Sequence, residues 1–158
     1  MKEAIKSELI TFRKTSIEDA PIVTNLFLEL TEELGPPENA ERLAPLIPED
    51  IELALKSENS AIFLALDDER PIGFARADIL SDDPIFRLRE NQRCGYIDQM
   101  FIQKAYRKRD LGAQLLKLCE NFFREKELSF VLLHSAPKAV RFYARAGYHA
   151  NREMFKKL

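Results

Sequence analysis

The stretch Asp98-Gln-Met-Phe-Ile-Gln-Lys-Ala-Tyr-Arg-Lys-Arg-Asp-Leu-Gly-Ala113 joins a strand to a helix through a cationic loop. Residues 95–102 form an apolar run, interrupted by Asp98, that suits a strand. Lys104, Arg107, Lys108 and Arg109 crowd the loop. An amphipathic helix then runs from about residue 110 to 127, with Leu111, Leu115, Leu118, Cys119, Phe122 and Phe123 on its apolar side. A helix amino terminus presents unpaired N–H groups and a partial positive charge, so this junction is an anion site best suited to phosphate. Gly112 would let a backbone or ligand approach closely. The same cations also fit a loop that is merely solvated.

Working outward, the hydrophobic pattern orders the rest of the chain. Residues 9–14 alternate as a strand. Thr15-Ser16-Ile17-Glu18 offers a capping box for a first helix, in which Ile17, Ala20, Val23, Leu26, Phe27, Leu30 and Leu34 recur at helical spacing until Gly35 stops it. Pro36-Pro37 breaks the chain; short helical patterns follow over 39–46 and 49–56, the second opened by Pro48, and this acidic stretch suits a separately packed flap or groove wall. Residues 61–66 and 71–77 flank the polar turn 67–70 as a hairpin, and a polar segment, 81–93, precedes the central strand. Downstream, residues 129–134 read as a buried strand, Pro137 opens a short helix to residue 146, Gly147 ends it, and the tail 148–158 can supply one or two strands. The order is that of one α/β domain with a mixed sheet and helices packed on its faces.

Composition sets limits. The 158 residues carry 24 Lys and Arg against 26 Asp and Glu, a formal net charge of −2. Near-neutrality hides an asymmetry: residues 1–100 hold 11 basic and 21 acidic side chains, residues 101–158 hold 13 and 5. A hydrophobic content of 46% with 11 Phe supports one core. No apolar run spans a bilayer and no secretory signal opens the chain, so a soluble, cytoplasmic protein without a membrane partner is expected. Cys94, Cys119, His134 and His149 form no close ligand cluster, so neither a disulfide framework nor a metal site is expected. The acidic balance argues against a nucleic-acid partner.

Tyr106-Arg-Lys-Arg-Asp-Leu-Gly-Ala-Gln-Leu-Leu116 resembles the pyrophosphate-binding motif of the GNAT superfamily, the acetyl-CoA-dependent N-acetyltransferases, whose pattern is Arg/Gln-x-x-Gly-x-Gly/Ala before a helix. Tyr96-Ile-Asp-Gln-Met-Phe-Ile102 resembles the family's fourth strand, and Ala139-Val-Arg-Phe-Tyr-Ala-Arg-Ala-Gly-Tyr148 resembles its Ala-x-x-Phe-Tyr-x-x-x-Gly-Phe segment. The likeness runs from about Ala61 to the carboxyl terminus, while the first 60 residues match in layout only. It implies one N-acetyltransferase domain over residues 1–158, an α/β (α+β) fold with a mixed sheet of six to seven strands, helices on both faces, and splayed fourth and fifth strands. It also implies acetyl-CoA or CoA as co-substrate and a small-molecule or peptide amine as acceptor. A homodimer is left open.

Position by position, the resemblance places the pantetheine arm against Met100, Phe101 and Ile102, through the main chain of Met100 and Ile102. The amides of Arg107, Lys108, Arg109, Asp110, Leu111, Gly112 and Ala113 would cradle the pyrophosphate, with Arg107 and Arg109 adding charge. Two positions depart from the pattern. Asp110 replaces a Gly, where its carboxylate is expected to cap the helix and oppose a phosphate, and Ala136 replaces a frequent Asn.

Direct acetyl transfer needs a base for the amine and an acid for the departing sulfur. The resemblance gives the acid as Tyr143, whose phenol, with an ordinary pKa of ~10, keeps its proton at neutral pH; packing against Phe142 is its structural alternative. Asp98 is the candidate base, and an ion pair with an arginine is the alternative. His134 is a second candidate base. Cys119, on an apolar helix face, argues against a covalent acetyl-cysteine. Glu29, Glu32, Glu33, Glu38, Glu41, Asp78, Asp82 and Asp83 fall where the family builds its acceptor groove, so a cationic amine or a lysine-bearing peptide is expected, a solvated acidic face being the alternative. Residues 62–77 and 95–102 faintly resemble aminoglycoside 6'-N-acetyltransferases. A non-catalytic, CoA-sensing or protein-binding module is the other functional class.

Overall fold

Alternation along one strand separates two cores. In β2 (Ser60–Asp67), Ala61, Phe63 and Ala65 face one side of the sheet, while Ile62, Leu64 and Leu66 face the other. All six are buried, so the strand reads as an unbroken apolar run. The structure is a computed structural model and describes residues 9–35, 38, 40–81, 93–150 and 156–157.

Five strands form one sheet in the order β1 (Ile10–Lys14), β2, β3 (Arg70–Ser81), β4 (Arg93–Ile102) and β5 (Val131–Leu133). The first four pair antiparallel; β5 pairs parallel to β4. On one face lies α4 (Leu111–Glu125), which buries Leu111, Leu115, Leu116, Cys119, Phe122 and Phe123 against Ala61, Phe63, Ile72, Ala75 and Ile97. On the other face α1 (Ala20–Leu34) and α3 (Leu46–Lys56) bring Val23, Leu26, Ile51 and Ala54 onto Ile62, Leu64, Phe74 and Phe101. The helices thus cover both faces, as expected. Burying such aliphatic and aromatic side chains contributes roughly 1.5–3 kcal/mol each before chain entropy is counted.

Several details differ from the sequence reading. The sheet has five strands among the described residues, not six or seven: Tyr148, His149 and Ala150 form no strand, and 151–155 and 158 lie outside the described residues. The strand expected over 129–134 is shorter and only half buried; among the described residues β5 pairs with β4 alone. The first helix is entered through a 3-10 turn, Ile17–Asp19, and the reciprocal cap is Ser16 with Asp19 rather than Thr15 with Glu18. Its anchor is a two-pronged ion pair: Arg13 Nη1 and Nη2 each donate to an Asp19 carboxylate oxygen at 2.7 Å, and Asp19 also accepts from the Ser16 amide at 2.9 Å. The stretch after Gly35 yields α2 (Ala40–Leu43) and α3, and α3 is part of the core rather than a separate flap. The hairpin turns on Asp68 and Glu69, with Asp68 at φ 57°. The polar segment beyond Ser81 falls on residues 82–92, outside the described residues. Among the described residues no helix is long and apolar enough to cross a membrane.

Candidate active site

An extra residue in β4 creates the site. Arg76 of β3 pairs with Gln99, whereas the next residue, Ala77, pairs with Ile97, so Asp98 is the unpaired residue of a bulge. Bulges bend a strand and re-aim a side chain. Pairing between β4 and β5 covers only Gly95 with Val131, Tyr96 with Leu132 and Ile97 with Leu133, and it stops at that bulge. Beyond it β4 keeps β3 as its neighbour and parts from β5. The Gln103 amide donates to Ile72 O at 2.8 Å, so strand alternation turns the main-chain groups of Met100 and Ile102 to the opened edge and those of Phe101 to β3. Arg107 Nε reaches the Ile102 carbonyl from that edge at 2.8 Å.

The opened edge leads to the loop before α4. Arg107 has φ −72°, Lys108 and Asp110 are both left-handed at φ 63°, and α4 starts at Leu111. Non-glycine residues adopt this conformation at a cost of roughly 1–2 kcal/mol, least for Asn and Asp. Asp110 makes no side-chain cap, contrary to expectation: its backbone takes the conformation a glycine would favour, and its carboxylate takes none of the first-turn amides. Those amides of Leu111, Gly112 and Ala113 are the helix's unpaired donors. A Cβ on Gly112 would lie 3.3 Å from Phe142 Cζ, so this glycine admits the aromatic ring of α5 (Val140–Arg145) beside the start of α4.

The loop cations are less available than the sequence suggests. Arg107 is held by Glu33, with Nη1 and Nη2 on the two carboxylate oxygens at 2.6 and 2.5 Å. That hydrogen-bonded pairing holds the Glu33 carboxyl below the usual carboxylate range and raises Arg107. The Arg109 guanidinium lies 5.5 Å from the centre of the Tyr106 ring and donates to Ala105 O at 3.3 Å. Lys104 and Lys108 are exposed.

Asp98 pairs with an arginine in a charged cluster whose other carboxylates, Asp50 and Asp78, the sequence did not connect to it. Arg76, whose side chain is only 10% exposed, meets Asp50 of α3, Asp78 of β3 at 2.9 Å and Asp98 at 3.6 Å. Gln99 Nε2 donates to Asp98 at 2.7 Å and Ser60 Oγ to Asp78 at 2.6 Å. Burial raises the Asp98 carboxyl above its ordinary value; Arg76 opposes the rise, while Asp78 and Asp50 add to it. The ion pair with an arginine, one of the two expectations for Asp98, is thus observed. The one available sequence signal was Arg76 itself, a charge between Ala75 and Ala77 on an apolar strand. Asp50, 26 residues away from Arg76 in the chain, had none.

Tyr143, on α5, is half buried, with its ring 5.0 Å from Phe142 and 5.8 Å from Tyr148. Burial pushes its phenol up to about 12. His134, just past β5, is 2.7 Å from the Tyr96 hydroxyl through Nδ1. Cys119 is fully buried, and burial pushes its thiol far above the range of a nucleophile. The acidic residues divide. Glu29, Glu32 and Glu33 line a pocket of about 420 Å³ with Arg70, Phe101, Gln103 and Lys104, so two cations share it. Glu38 pairs with Lys157 at 3.6 Å, Glu41 is exposed on α2, and Asp78 is bound to Arg76. Asp82 and Asp83 lie outside the described residues.

Residues 23–148 match the model of the acetyltransferase (GNAT) family. No curated protein matches the chain. Among solved structures, a predicted acetyltransferase from Clostridium acetobutylicum with acetyl-CoA superposes with a TM-score of 0.84 at 16% identity, covering 95% of this chain and 96% of that one. A GCN5-related N-acetyltransferase from Ralstonia eutropha gives 0.80 at 21% identity, with 95% and 99% coverage. The aminoglycoside N-acetyltransferase AAC(6')-Iy in complex with a bisubstrate analogue, CoA-S-monomethyl-acetylneamine, gives 0.77 at 19% identity, with 95% and 98% coverage.

Proposed function

The chain belongs to the GNAT family of acetyltransferases, and from that premise we propose that it moves the acetyl group of acetyl-CoA directly to a primary amine. The observation that carries this reading is the parting of β4 from β5 at Asp98, which opens one strand edge toward the uncapped amino end of α4. The main-chain groups of Met100 and Ile102 suit the amide-bearing pantetheine arm, and the amides of Leu111, Gly112 and Ala113 suit the pyrophosphate. Solved relatives of the same fold hold acetyl-CoA or a CoA conjugate, which supports the choice of co-substrate.

In this reading Asp98 takes a proton from the acceptor's ammonium, directly or through one water. The freed amine attacks the thioester carbon, the C–S bond breaks as Tyr143 delivers its phenolic proton to the departing sulfur, and the proton the nitrogen sheds on becoming an amide returns to the Tyr143 phenolate through water. Burial keeps that proton on Tyr143 over the working pH range. The buried Cys119 is unsuited to a covalent acetyl intermediate. A small cationic amine suits the surplus of carboxylates around Asp98, where Asp50, Asp78 and Asp98 face one Arg76; a lysine or N-terminal amine is the second acceptor class. The non-catalytic alternative loses one ground, since Asp110 leaves the helix amides open.

Thiol release from acetyl-CoA across a panel of polyamines, aminoglycosides and lysine peptides tests the reading. Turnover with at least one amine is expected, with Tyr143→Phe lowering kcat about 100-fold or more. CoA at 100 times its dissociation constant should add ~2.7 kcal/mol of stability. No stabilisation at millimolar CoA overturns the reading, and unaltered turnover in Tyr143→Phe removes that residue from the acid role.

A further inference from the structure

Arg76 stands among three carboxylates supplied by three elements: Asp78 from its own strand, Asp98 from β4 and Asp50 from α3. Its hydrogen bonds go to two of them, Nη1 to Asp50 and Nε to Asp78. Asp98 is left at 3.6 Å, inside ion-pair range but beyond a hydrogen bond from Arg76. The closest polar contact of Asp98 is the neutral amide of Gln99 at 2.7 Å.

The division matters because a carboxylate gripped by a guanidinium fork is a poor base, whereas one with no cation nearby in a half-buried position holds its proton. We propose that Arg76 is a positioning residue for acetyl transfer: its charge keeps Asp98 ionised at the β4 bulge, while Asp50 takes its Nη1 and Asp78 its Nε, so that Asp98 accepts no hydrogen bond from it and stays basic enough to take the acceptor's proton. This rests on the reading of Asp98 as the base. The opposing influences on Asp98, burial and two like charges upward, Arg76 and Gln99 downward, accord with that balance.

Two substitutions should move Asp98 in opposite directions. In Arg76→Gln the carboxylate loses its cation, so the acidic limb of the kcat/KM profile moves to higher pH by about one unit. In Asp50→Asn one competing negative charge goes and the guanidinium is freed toward Asp98, so the limb moves to lower pH. Asp50 is 60% exposed at its side chain, so this variant is expected to fold even where Arg76→Gln does not. Arg76→Lys, retaining the charge without the fork, should restore part of the rate lost in Arg76→Gln. A carbon-13 titration of the Asp98 carboxyl, without substrate, should show the same two signs. An Asp98 titration that is unmoved in Asp50→Asn, or moved upward, overturns the proposal, whatever the turnover. If both titrations move as expected while the wild-type chain acetylates no amine, the base reading fails and the coupling of Arg76 to Asp98 stands.

Discussion

Arg107 grips Glu33 with both terminal nitrogens, at 2.6 and 2.5 Å, and so fastens the loop before α4 to the carboxyl end of α1. Its third nitrogen holds the Ile102 carbonyl at 2.8 Å. One planar guanidinium therefore links three parts of the proposed site: the wall formed by α1, the opened edge of β4 and the phosphate loop. A lysine could not make all three bonds, since it lacks the rigid fork. In the proposed reading, CoA and α1 compete for the same charge.

Glu33→Gln should tighten CoA binding. The substitution releases the Arg107 charge that the carboxylate offsets, and an exposed pair of this kind is worth up to about 1 kcal/mol, so a gain of roughly threefold to fivefold is expected. Folding stability should change by less than about 1 kcal/mol, since both side chains are more than a third exposed. Calorimetric titration with CoA at low and high salt checks this, and the gain should shrink with salt. An unchanged dissociation constant would show that Arg107 does not contribute its charge to the cofactor.

Acid should expose the contribution of Asp19. Hydrogen bonds from Arg13 hold its carboxyl at about 2, below the ordinary 3.8. A depressed folded-state value means the unfolded chain binds the proton first, so this stabilisation is complete above about pH 5 and is lost as pH falls through 3.8 toward 2. Asp19 is buried but Arg13 is 45% exposed, which limits the contribution to the order of 1–2 kcal/mol. Denaturant unfolding of the wild type and Asp19→Asn should therefore differ at pH 7 and converge near pH 2. A difference that persists at the lowest pH would assign the effect to the cap geometry instead.

What the sequence disclosed follows the range of the interactions. The apolar stripe of α4 is local, and its buried residues were nearly all readable; Leu116 is buried in addition, and Leu118 is partly buried against the same core. The cationic loop before α4 was readable as a motif, but the partner of its Arg107 was not: Glu33 lies 74 residues away. Likewise the bulge at Asp98 exists only in the pairing of β4 with β3, since nothing in residues 95–102 taken alone sets it. The half burial of β5 depends on what packs beside it, which an apolar run does not encode. Capping moved by one residue because Asp19, not Glu18, finds Arg13.

Gly95→Ala should be more damaging than Gly112→Ala. A Cβ at Gly95 would fall 2.6 Å from the ring of Phe123, which is 1% exposed near the carboxyl end of α4 and, packed in the core, has little freedom to retreat. Overpacking of this kind costs about 1–3 kcal/mol, or roughly 2–12 °C in Tm for a chain of this size. At Gly112 the nearest atom is the edge of Phe142 at 3.3 Å, a half-exposed ring that can shift by the few tenths of an ångström required. Thermal melts of the two variants rank them, and equal losses would contradict the packing described for α4 on β4.

Asp110→Gly should improve cofactor binding without loss of stability. The backbone at Asp110 is left-handed with φ 63°, a conformation glycine adopts freely, and the side chain makes no capping bond that would be lost. Relief of that strain opposes the greater entropy of a glycine in the unfolded chain, so stability should stay within about 1 kcal/mol of wild type. The carboxylate, by contrast, stands at the positive end of α4 where the pyrophosphate is proposed to bind, and its repulsion disappears. A gain in CoA affinity of roughly threefold to tenfold is the expected size for one like charge removed near the surface. Dephospho-CoA, which keeps the pyrophosphate but loses the distant 3'-phosphate, should show the same gain if Asp110 acts on the pyrophosphate. A gain confined to CoA would move the repulsion to the 3'-phosphate and displace the proposed cradle from the start of α4.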